Sequence, residues 1–163
     1  MPFLELSKSN DNDIAHISKI KIMIFTEGTI IRHRNVFQLF NYDTYIPIGN
    51  CINKIQAWEQ QGAEIMYFTS RKTVKQVNEI ATLLKKYHFQ GTRLYYREAK
   101  QKYKDIIELV EPDVLIEDDC KSIGGQSQMC ITYVKPELKS KIRSFAVEEF
   151  KGIDSLPTLI SDF

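Results

Sequence analysis

Two short apolar stretches of this chain end in carboxylates, and those carboxylates are its best candidates for chemistry. The first stretch is KIMIFTEGT, from Lys21 to Thr29, and the second is PDVLIEDD, from Pro112 to Asp119. A short unbroken apolar run predicts a strand that is buried on both faces, as in a parallel sheet covered by helices. Ligands of such sheets bind beyond the carboxyl ends of the strands. Carboxylates at that edge suit a hard cation, and we expect Mg²⁺.

Four carboxylates are the candidate metal ligands: Glu27 after the first run, and Glu117, Asp118 and Asp119 at the end of the second. Three consecutive acids at a buried strand end are costly unless a cation or hydrogen-bond donors compensate their charge. Glu27 and Asp118 could share one cation, because close carboxylates repel unless one is protonated or a metal intervenes. Glu27 could instead cap the turn after its strand. The sequence leaves open which of the three consecutive acids points into the site.

Side chains with anion-binding chemistry follow another apolar run, AEIMYFT, from Ala63 to Thr69. Thr69 and Ser70 can bind a phosphate, and the amides at the N-terminus of the next helix can assist them. Ser70 can also act as the N-cap of that helix, and the two roles are compatible. Arg71 either clamps the same anion or is simply solvated.

Strands and helices must alternate along the chain to position these residues. The patterns predict strands at about 21–27, 63–69, 92–96, 113–117 and 142–147, and helices at about 50–61, 71–87, 98–110 and 136–140. Asn50 is expected to cap the first helix and Gly62 to end it. This alternation predicts right-handed crossovers. We therefore expect an α/β fold, a doubly wound Rossmann-like three-layer sandwich with a mainly parallel five-stranded sheet.

Length, charge and cysteine content limit the class of protein. The chain has 163 residues, with 22 Lys or Arg against 21 Asp or Glu, which favours one domain at 19–163 behind a loosely held leader at 1–18. The near-even charge argues against a nucleic-acid partner, and no apolar run approaches the roughly 18 residues of a membrane span. Three cysteines without a C-x-x-C pair, and no signal-peptide pattern, favour a cytoplasmic protein.

The order of these features resembles the haloacid dehalogenase (HAD)-like superfamily over about residues 20–150. GAEIMYFTSR is similar to the second motif of that superfamily, whose hydroxyl and amides hold the phosphoryl group. PDVLIEDD is similar to the fourth motif, which supplies metal ligands. EDDCKSIGG and EEFKGIDSLP resemble an uncharacterised subgroup. The resemblance implies a HAD-like fold, and residues 30–49 are too few to form more than a minimal cap.

The first motif departs from the D-x-D-G-T of active members, in which the first aspartate is the nucleophile and a magnesium ligand. The second aspartate is the general acid and base. Matching Gly28 and Thr29 to the Gly-Thr pair makes them candidate substrate contacts, and it places Glu27 at the acid/base position and Phe25 at that of the nucleophile. Phenylalanine can neither attack phosphorus nor bind a cation. The resemblance therefore implies that standard catalysis is lost.

A lysine near the phosphoryl group is a further feature of the superfamily, because it neutralises the charge that gathers there. Lys100, Lys102 and Lys104 are the candidates. Lys104 fits the family spacing before Asp118 best, and Lys102 comes second. At least two of the three are expected to lie on a solvated helix face.

These observations favour a binding protein that keeps a cation- and phosphate-binding edge and takes a phosphorylated small molecule or macromolecule. One alternative is a Mg²⁺-dependent phosphatase in which Glu27 or Asp118 activates water directly. Another is a nucleic-acid-associated module, since residues 71–104 are rich in Lys and Arg, although such runs more often form the solvated side of a helix. An open site also predicts a homo-oligomer, with Phe37, Phe40 and Tyr45 as contacts if they are exposed.

Overall fold

The structure is a computed structural model that describes residues 18–163. Nearly all of the predicted leader, residues 1–17, lies outside the described residues. The helices and strands are β1 Lys21–Phe25, β2 Ile31–Arg32, β3 Ile46–Pro47, α1 Cys51–Gln60, β4 Glu64–Phe68, α2 Val74–Lys86, β5 Arg93–Tyr95, α3 Tyr103–Val110, β6 Val114–Asp118, α4 Pro136–Lys139 and β7 Arg143–Val147. Within this described range, no helix combines the length and apolar composition that crossing a membrane requires.

The main sheet has five strands in the order β5-β4-β1-β6-β7, and every pair in it is parallel. The central strand β1 pairs with β4 through Phe25 and Phe68 at its carboxyl end, and with β6 through Ile24 and Ile116. The chain therefore runs outward from β1 in both directions, as in a doubly wound fold. The predicted α/β fold class, a doubly wound Rossmann-like sandwich with a mainly parallel five-stranded sheet, is confirmed.

Two apolar layers enclose the sheet, because alternate residues of each strand point to opposite faces. Ile22 and Ile24 of β1 pack with α1 and α2, whereas Met23 and Phe25 pack with α3. All four side chains are buried. This two-sided burial explains why the sequence shows short continuous apolar runs rather than an alternating pattern.

The two predicted helix caps are corrected by the structure. Helix α2 begins at Val74, later than expected, and Thr73 caps it by accepting a hydrogen bond from the backbone N–H of Gln76 at 3.3 Å. Ser70 does not cap the helix, because it lies four residues before Val74 and its Oγ accepts from Arg71 Nε at 3.2 Å instead. Asn50 lies at the N-cap position of α1, but its side chain makes no capping hydrogen bond.

The cap between β1 and α1 is small, as predicted: β2 and β3 form an antiparallel hairpin around residues 33–45. Phe37 and Phe40 are 93% and 79% exposed on this loop. Tyr45, in contrast, is buried, and its hydroxyl donates to the backbone carbonyl of Leu39 at 2.6 Å. Tyr45 is therefore not available for an oligomer contact, whereas the contact through the two phenylalanines stays a prediction.

Candidate functional site

The carboxyl ends of three adjacent strands bring most of the candidate residues to one edge of the sheet. Glu27 follows β1, Thr69 follows β4, and Asp118 ends β6. Because β1 lies between β4 and β6, the loop after it can reach the residues that follow either neighbour. The structure shows that Glu27 turns toward the end of β4, away from the acids that follow β6.

The carboxylate of Glu27 is held by residues that follow β4. Its Oε1 accepts a hydrogen bond from Thr69 Oγ1 at 2.6 Å and lies 3.1 Å from Arg71 Nε. Its Oε2 accepts from the backbone N–H of Ser70 at 3.3 Å and from the hydroxyl of Thr26. We call Thr69, Ser70 and Arg71 the anion cradle. The cradle supplies a hydroxyl, an amide and a guanidinium to one anionic group.

Arg71 is fixed in this arrangement from its other side. Its guanidinium lies 4.7 Å from the ring centroid of Tyr42, donates to the Tyr42 hydroxyl, and also donates through Nε to Ser70 Oγ at 3.2 Å. Tyr42 belongs to the cap loop and is buried. The side chain of Arg71 is only 28% exposed. Arg71 therefore clamps an anion, here the carboxylate of Glu27, rather than being simply solvated.

Phe25, the last residue of β1, carries a buried aromatic ring. Its centroid lies 4.7 Å from that of Phe68 and 5.8 Å from that of Tyr103. The side chain belongs to the apolar cluster on the α3 face of the sheet and is 8% exposed. The end of β1 thus carries a packed aromatic group, which offers no nucleophile for covalent phosphoryl transfer.

A separate acidic cluster lies at the ends of β6 and β7. One carboxylate oxygen each from Asp118, Asp119 and Glu149 lie within 4.8 Å of one another. Asp118 accepts from the hydroxyl of Thr29 at 3.2 Å and from the backbone N–H of Cys120 at 3.1 Å. Burial raises the pKa of Asp118, and the charge of Glu149 raises it further. Carboxylate oxygens are suitable ligands for a hard divalent cation, and such a cation would compensate the negative charge of the cluster. Asp118, Asp119 and Glu149 are therefore the residues that would hold Mg²⁺.

Gly28 and Thr29 lie directly against the carboxylate of Asp118 in this acidic cluster. A Cβ at Gly28 would lie 3.0 Å from Asp118 Oδ1, and the φ of Gly28 is +81°. Only glycine allows the loop to adopt this conformation and pass so close to the carboxylate. The side chain of Thr29 is fully buried against Asp118. Thr29 is therefore placed to position Asp118 rather than to contact a ligand from solvent.

The structure does not bring two of the predicted metal ligands into the cluster. Glu117 lies on the opposite face of the sheet, where its carboxylate accepts from the backbone N–H groups of Cys130 at 2.7 Å and Ile131 at 3.1 Å. It is 2% exposed, and this burial raises its pKa. Glu27 is held in the anion cradle. Glu149, which sequence reasoning missed, completes the cluster in their place.

The position of Glu149 follows from strand pairing. Asp118 pairs with Val147 of β7, and the backbone N–H of Glu149 donates to Asp119 Oδ1 at 3.2 Å. An acid two residues after the end of a neighbouring strand is the signal that could have revealed it. The pair Glu148 and Glu149 directly follows the predicted fifth strand.

Lys102 and Lys104 lie apart from the anion cradle. Both line a cavity of about 380 Å³ that also borders Arg97 and Tyr103. Lys104 Nζ pairs with Glu108 at 3.8 Å. In the part of the chain that the structure describes, no hydrogen bond or ion pair joins either lysine to Glu27 or Asp118. Among the described residues, the predicted lysines therefore make no direct contact with the predicted phosphate site, although Tyr103 beside them lies within electrostatic reach of Glu27 and Arg71.

No protein-family model matches this chain, and no curated protein matches it. Two solved chains from the Pnkp1/Rnl/Hen1 RNA repair complex are similar to it, at 17% identity and TM-score 0.59 and at 16% identity and TM-score 0.60. The matches cover 87% and 90% of this chain but 46% and 50% of those chains, so this chain spans about half their length.

A D,D-heptose 1,7-bisphosphate phosphatase from B. bronchiseptica, solved with magnesium and phosphate, also matches, at 10% identity and TM-score 0.48. The match covers 80% of this chain and 93% of that one. Likeness at such low identity speaks for the fold and not for the activity. The chain is therefore similar in fold to the two chains of the RNA repair complex, and its own architecture is α/β.

Proposed function

We propose that this protein binds a phosphorylated ligand or partner at the anion cradle and does not hydrolyse it by the covalent route. The observation that carries this proposal is the set of donors around Glu27. Thr69, Ser70 and Arg71 surround a single carboxylate with a hydroxyl, an amide and a guanidinium. The same donor types bind phosphoryl oxygens, and charged donors of this kind make the stronger hydrogen bonds.

The absence of a nucleophile supports binding over catalysis. Phe25 is packed between Phe68 and Tyr103 and carries no group that can attack phosphorus. Glu27, at the acid/base position, is engaged by Arg71 and Thr69, so it is not free to exchange a proton with a ligand. The competing proposal is a Mg²⁺-dependent phosphatase in which Glu27 or Asp118 activates water, and it differs from ours by requiring turnover.

A phosphoryl group must compete with Glu27 for the cradle, because both are anions that use the same donors. The ligand's oxygens would replace the carboxylate oxygens at Thr69 and Arg71 while Glu27 turns away. The affinity for phosphate is therefore lowered by the internal carboxylate. Bound Mg²⁺ would neutralise part of the ligand's charge from the Asp118, Asp119 and Glu149 side.

Because of this competition, we expect that removing the charge of Glu27 strengthens phosphate binding rather than weakening it. Glu27→Gln keeps the shape of the side chain but removes the charge that holds it to Arg71. We expect this variant to bind inorganic phosphate about tenfold more tightly than the wild type, since hydrogen bonds to charged groups contribute about 1.5–3 kcal/mol. Thr69→Val should bind more weakly. Isothermal titration calorimetry with inorganic phosphate and with a panel of phosphomonoesters measures both effects.

The matched control is Glu59→Gln, which makes the same change on the exposed side of α1 and should leave phosphate binding as in the wild type. Weaker binding by Glu27→Gln would contradict the proposal, because it would mean that Glu27 helps to hold the ligand or its cation. Hydrolysis of any panel member by the wild type would favour the phosphatase instead.

A further inference from the structure

The cavity beside α3 lies outside the site of the proposed function. Its volume is about 380 Å³, within the range of small-molecule pockets of roughly 300–1,000 Å³. It is lined by Arg97, Lys102, Tyr103, Lys104, Ser127, Gln128, Cys130 and Tyr133. The residues of the anion cradle and of the acidic cluster are not among them. Its walls come from the segments after β5 and β6, so it opens at the ligand-binding edge of the sheet.

The charge of the cavity is positive. Three of its lining residues, Arg97, Lys102 and Lys104, are cations, and none of the lining residues is an acid. The cavity also borders the first turn of α3, whose helix dipole is positive at that end. Two carboxylates nearby offset part of this charge: Glu108 pairs with Lys104 at 3.8 Å, and Asp105 accepts from the backbone N–H of Lys102 at 2.7 Å. Among the described residues, no carboxylate pairs with Arg97 in this way. The cavity therefore favours an anionic ligand.

Arg97 is the most constrained of the three cations. Its guanidinium carbon lies 3.6 Å from the ring centroid of Tyr103. Its Nε is buried, and no residue in the described part of the chain accepts a hydrogen bond from it. A buried donor without an acceptor destabilises the folded state. Tyr103 in turn packs on Phe25 and Phe68, so the guanidinium rests on a rigid aromatic support.

The lining of the cavity also includes an exposed aromatic ring. Tyr133 is 58% exposed, and its hydroxyl donates to the backbone carbonyl of Ser127 at 2.6 Å. This hydrogen bond holds the ring in place although the ring is open to solvent. An exposed aromatic ring of fixed orientation is a stacking surface for a flat heterocycle. The side-chain amide of Gln128, which also lines the cavity, can both donate to and accept from the edge of such a ring.

We propose that this cavity is a binding site for a nucleoside monophosphate. The phosphate binds to Arg97, Lys102 and Lys104, and the base stacks on Tyr133 beside Gln128. Cys130 lies in the wall as a neutral thiol. Burial and the nearby carboxylate of Glu117 raise its pKa, so it adds no negative charge at neutral pH.

Calorimetry with four probes tests this site: AMP, adenosine, ribose 5-phosphate and inorganic phosphate. AMP should bind most tightly, because it is the only one of the four probes that carries both a phosphate for the cations and a base for Tyr133. Lys102→Gln and Tyr133→Leu should each weaken AMP binding about tenfold, the size of effect expected when one phosphate contact or one stacking contact is lost. Lys100→Gln is the matched control, since Lys100 is exposed and does not line the cavity, and it should bind AMP like the wild type.

Glu27→Gln distinguishes this cavity from the anion cradle. Lys102→Gln should weaken AMP binding by the same factor in the Glu27→Gln background as in the wild type, whether or not Glu27→Gln binds inorganic phosphate more tightly. Failure of the cradle proposal therefore leaves this test intact. The cavity proposal is overturned if AMP does not bind, if ribose 5-phosphate binds as tightly as AMP, or if Lys102→Gln has no effect. Thermal unfolding of each variant establishes that it is folded, and Lys102, being exposed, can be replaced without loss of packing.

Discussion

At the scale of single residues, the two positions that matter most are Phe25 and Glu27. Phe25 is a core aromatic ring, which can neither attack phosphorus nor bind a cation. The carboxylate of Glu27 reaches Thr69 and Arg71 at the end of the neighbouring strand and is held there. In the proposed function, these two residues separate the binding chemistry of the site from hydrolytic chemistry.

Glu117 carries a prediction about pH, because its carboxyl is buried beneath the loop that contains Cys130 and Ile131. Burial raises the pKa of Glu117 above its ordinary value of 4.5, although the two backbone N–H donors oppose the shift. The folded protein therefore holds this proton more tightly than the unfolded chain. The resulting stabilisation is fully present below pH 4.5 and is lost as the pH rises through the raised pKa.

We expect the free energy of unfolding of the wild type to fall relative to that of Glu117→Gln as the pH rises across this window. Urea unfolding of both proteins at several pH values measures the difference. The exposed neighbour Glu148 gives the control, because Glu148→Gln should follow the wild type at every pH. A difference between wild type and Glu117→Gln that does not change with pH would show that the buried carboxyl does not titrate in this way.

At the scale of elements, the strands could be predicted because their burial on both faces leaves short apolar runs. The start of α2 was predicted too early, since residues 69–71 are engaged with Glu27 across the strands and Thr73 caps the helix instead. The same limit applies to Glu149, which joins Asp118 only through the pairing of β6 with β7. The edge of the sheet was thus predictable, but the side chains that meet there across strands were not.

The contact between α1 and the C-terminal segment is a second element-scale feature. Trp58 is fully buried, its Nε1–H donates to the backbone carbonyl of Pro157 at 2.9 Å, and its ring packs 5.1 Å from that of Phe163. Lys54 Nζ adds a hydrogen bond to the backbone carbonyl of Asp154 at 2.7 Å. The C-terminal segment therefore packs along one side of the core.

Trp58→Phe should lower the free energy of unfolding by about 1–3 kcal/mol, because it removes buried volume and leaves the carbonyl of Pro157 without its donor. Hydrogen exchange of residues 154–163 should speed up in the same variant. Urea unfolding measures the first effect, and Gln56→Ala, on the exposed side of α1, is the control that should stay within about 0.5 kcal/mol of the wild type. An unchanged exchange rate in the tail would contradict the docking role of Trp58.

At the scale of the whole molecule, the carboxyl edge of the sheet gathers three chemically different surfaces around one packed aromatic group. The anion cradle follows β4, the acidic cluster follows β6 and β7, and the basic cavity lies between the segments after β5 and β6. The net charge of +1 conceals this separation of charges. Partner chemistry is therefore better argued from local surfaces than from overall composition.

Magnesium should stabilise the whole fold if the acidic cluster binds it. A cation that binds only the folded state raises the free energy of unfolding by about 2.7 kcal/mol at 100 times its dissociation constant. We expect the thermal midpoint of the wild type to rise with Mg²⁺ concentration and that of Glu149→Gln to rise much less. Glu148→Gln removes one negative charge at the adjacent exposed position and should respond like the wild type. Equal responses of the two variants would place the cation elsewhere.

The central claim is that the cradle binds phosphoryl groups without hydrolysing them, and a phosphatase assay tests it most directly. Wild type and Asp118→Asn are incubated with a broad panel of phosphomonoesters, with and without Mg²⁺, and released phosphate is measured. Our account predicts no Mg²⁺-dependent release above the protein-free background for either protein. Turnover by the wild type that Asp118→Asn abolishes would contradict it and identify an enzyme that works without the usual nucleophile.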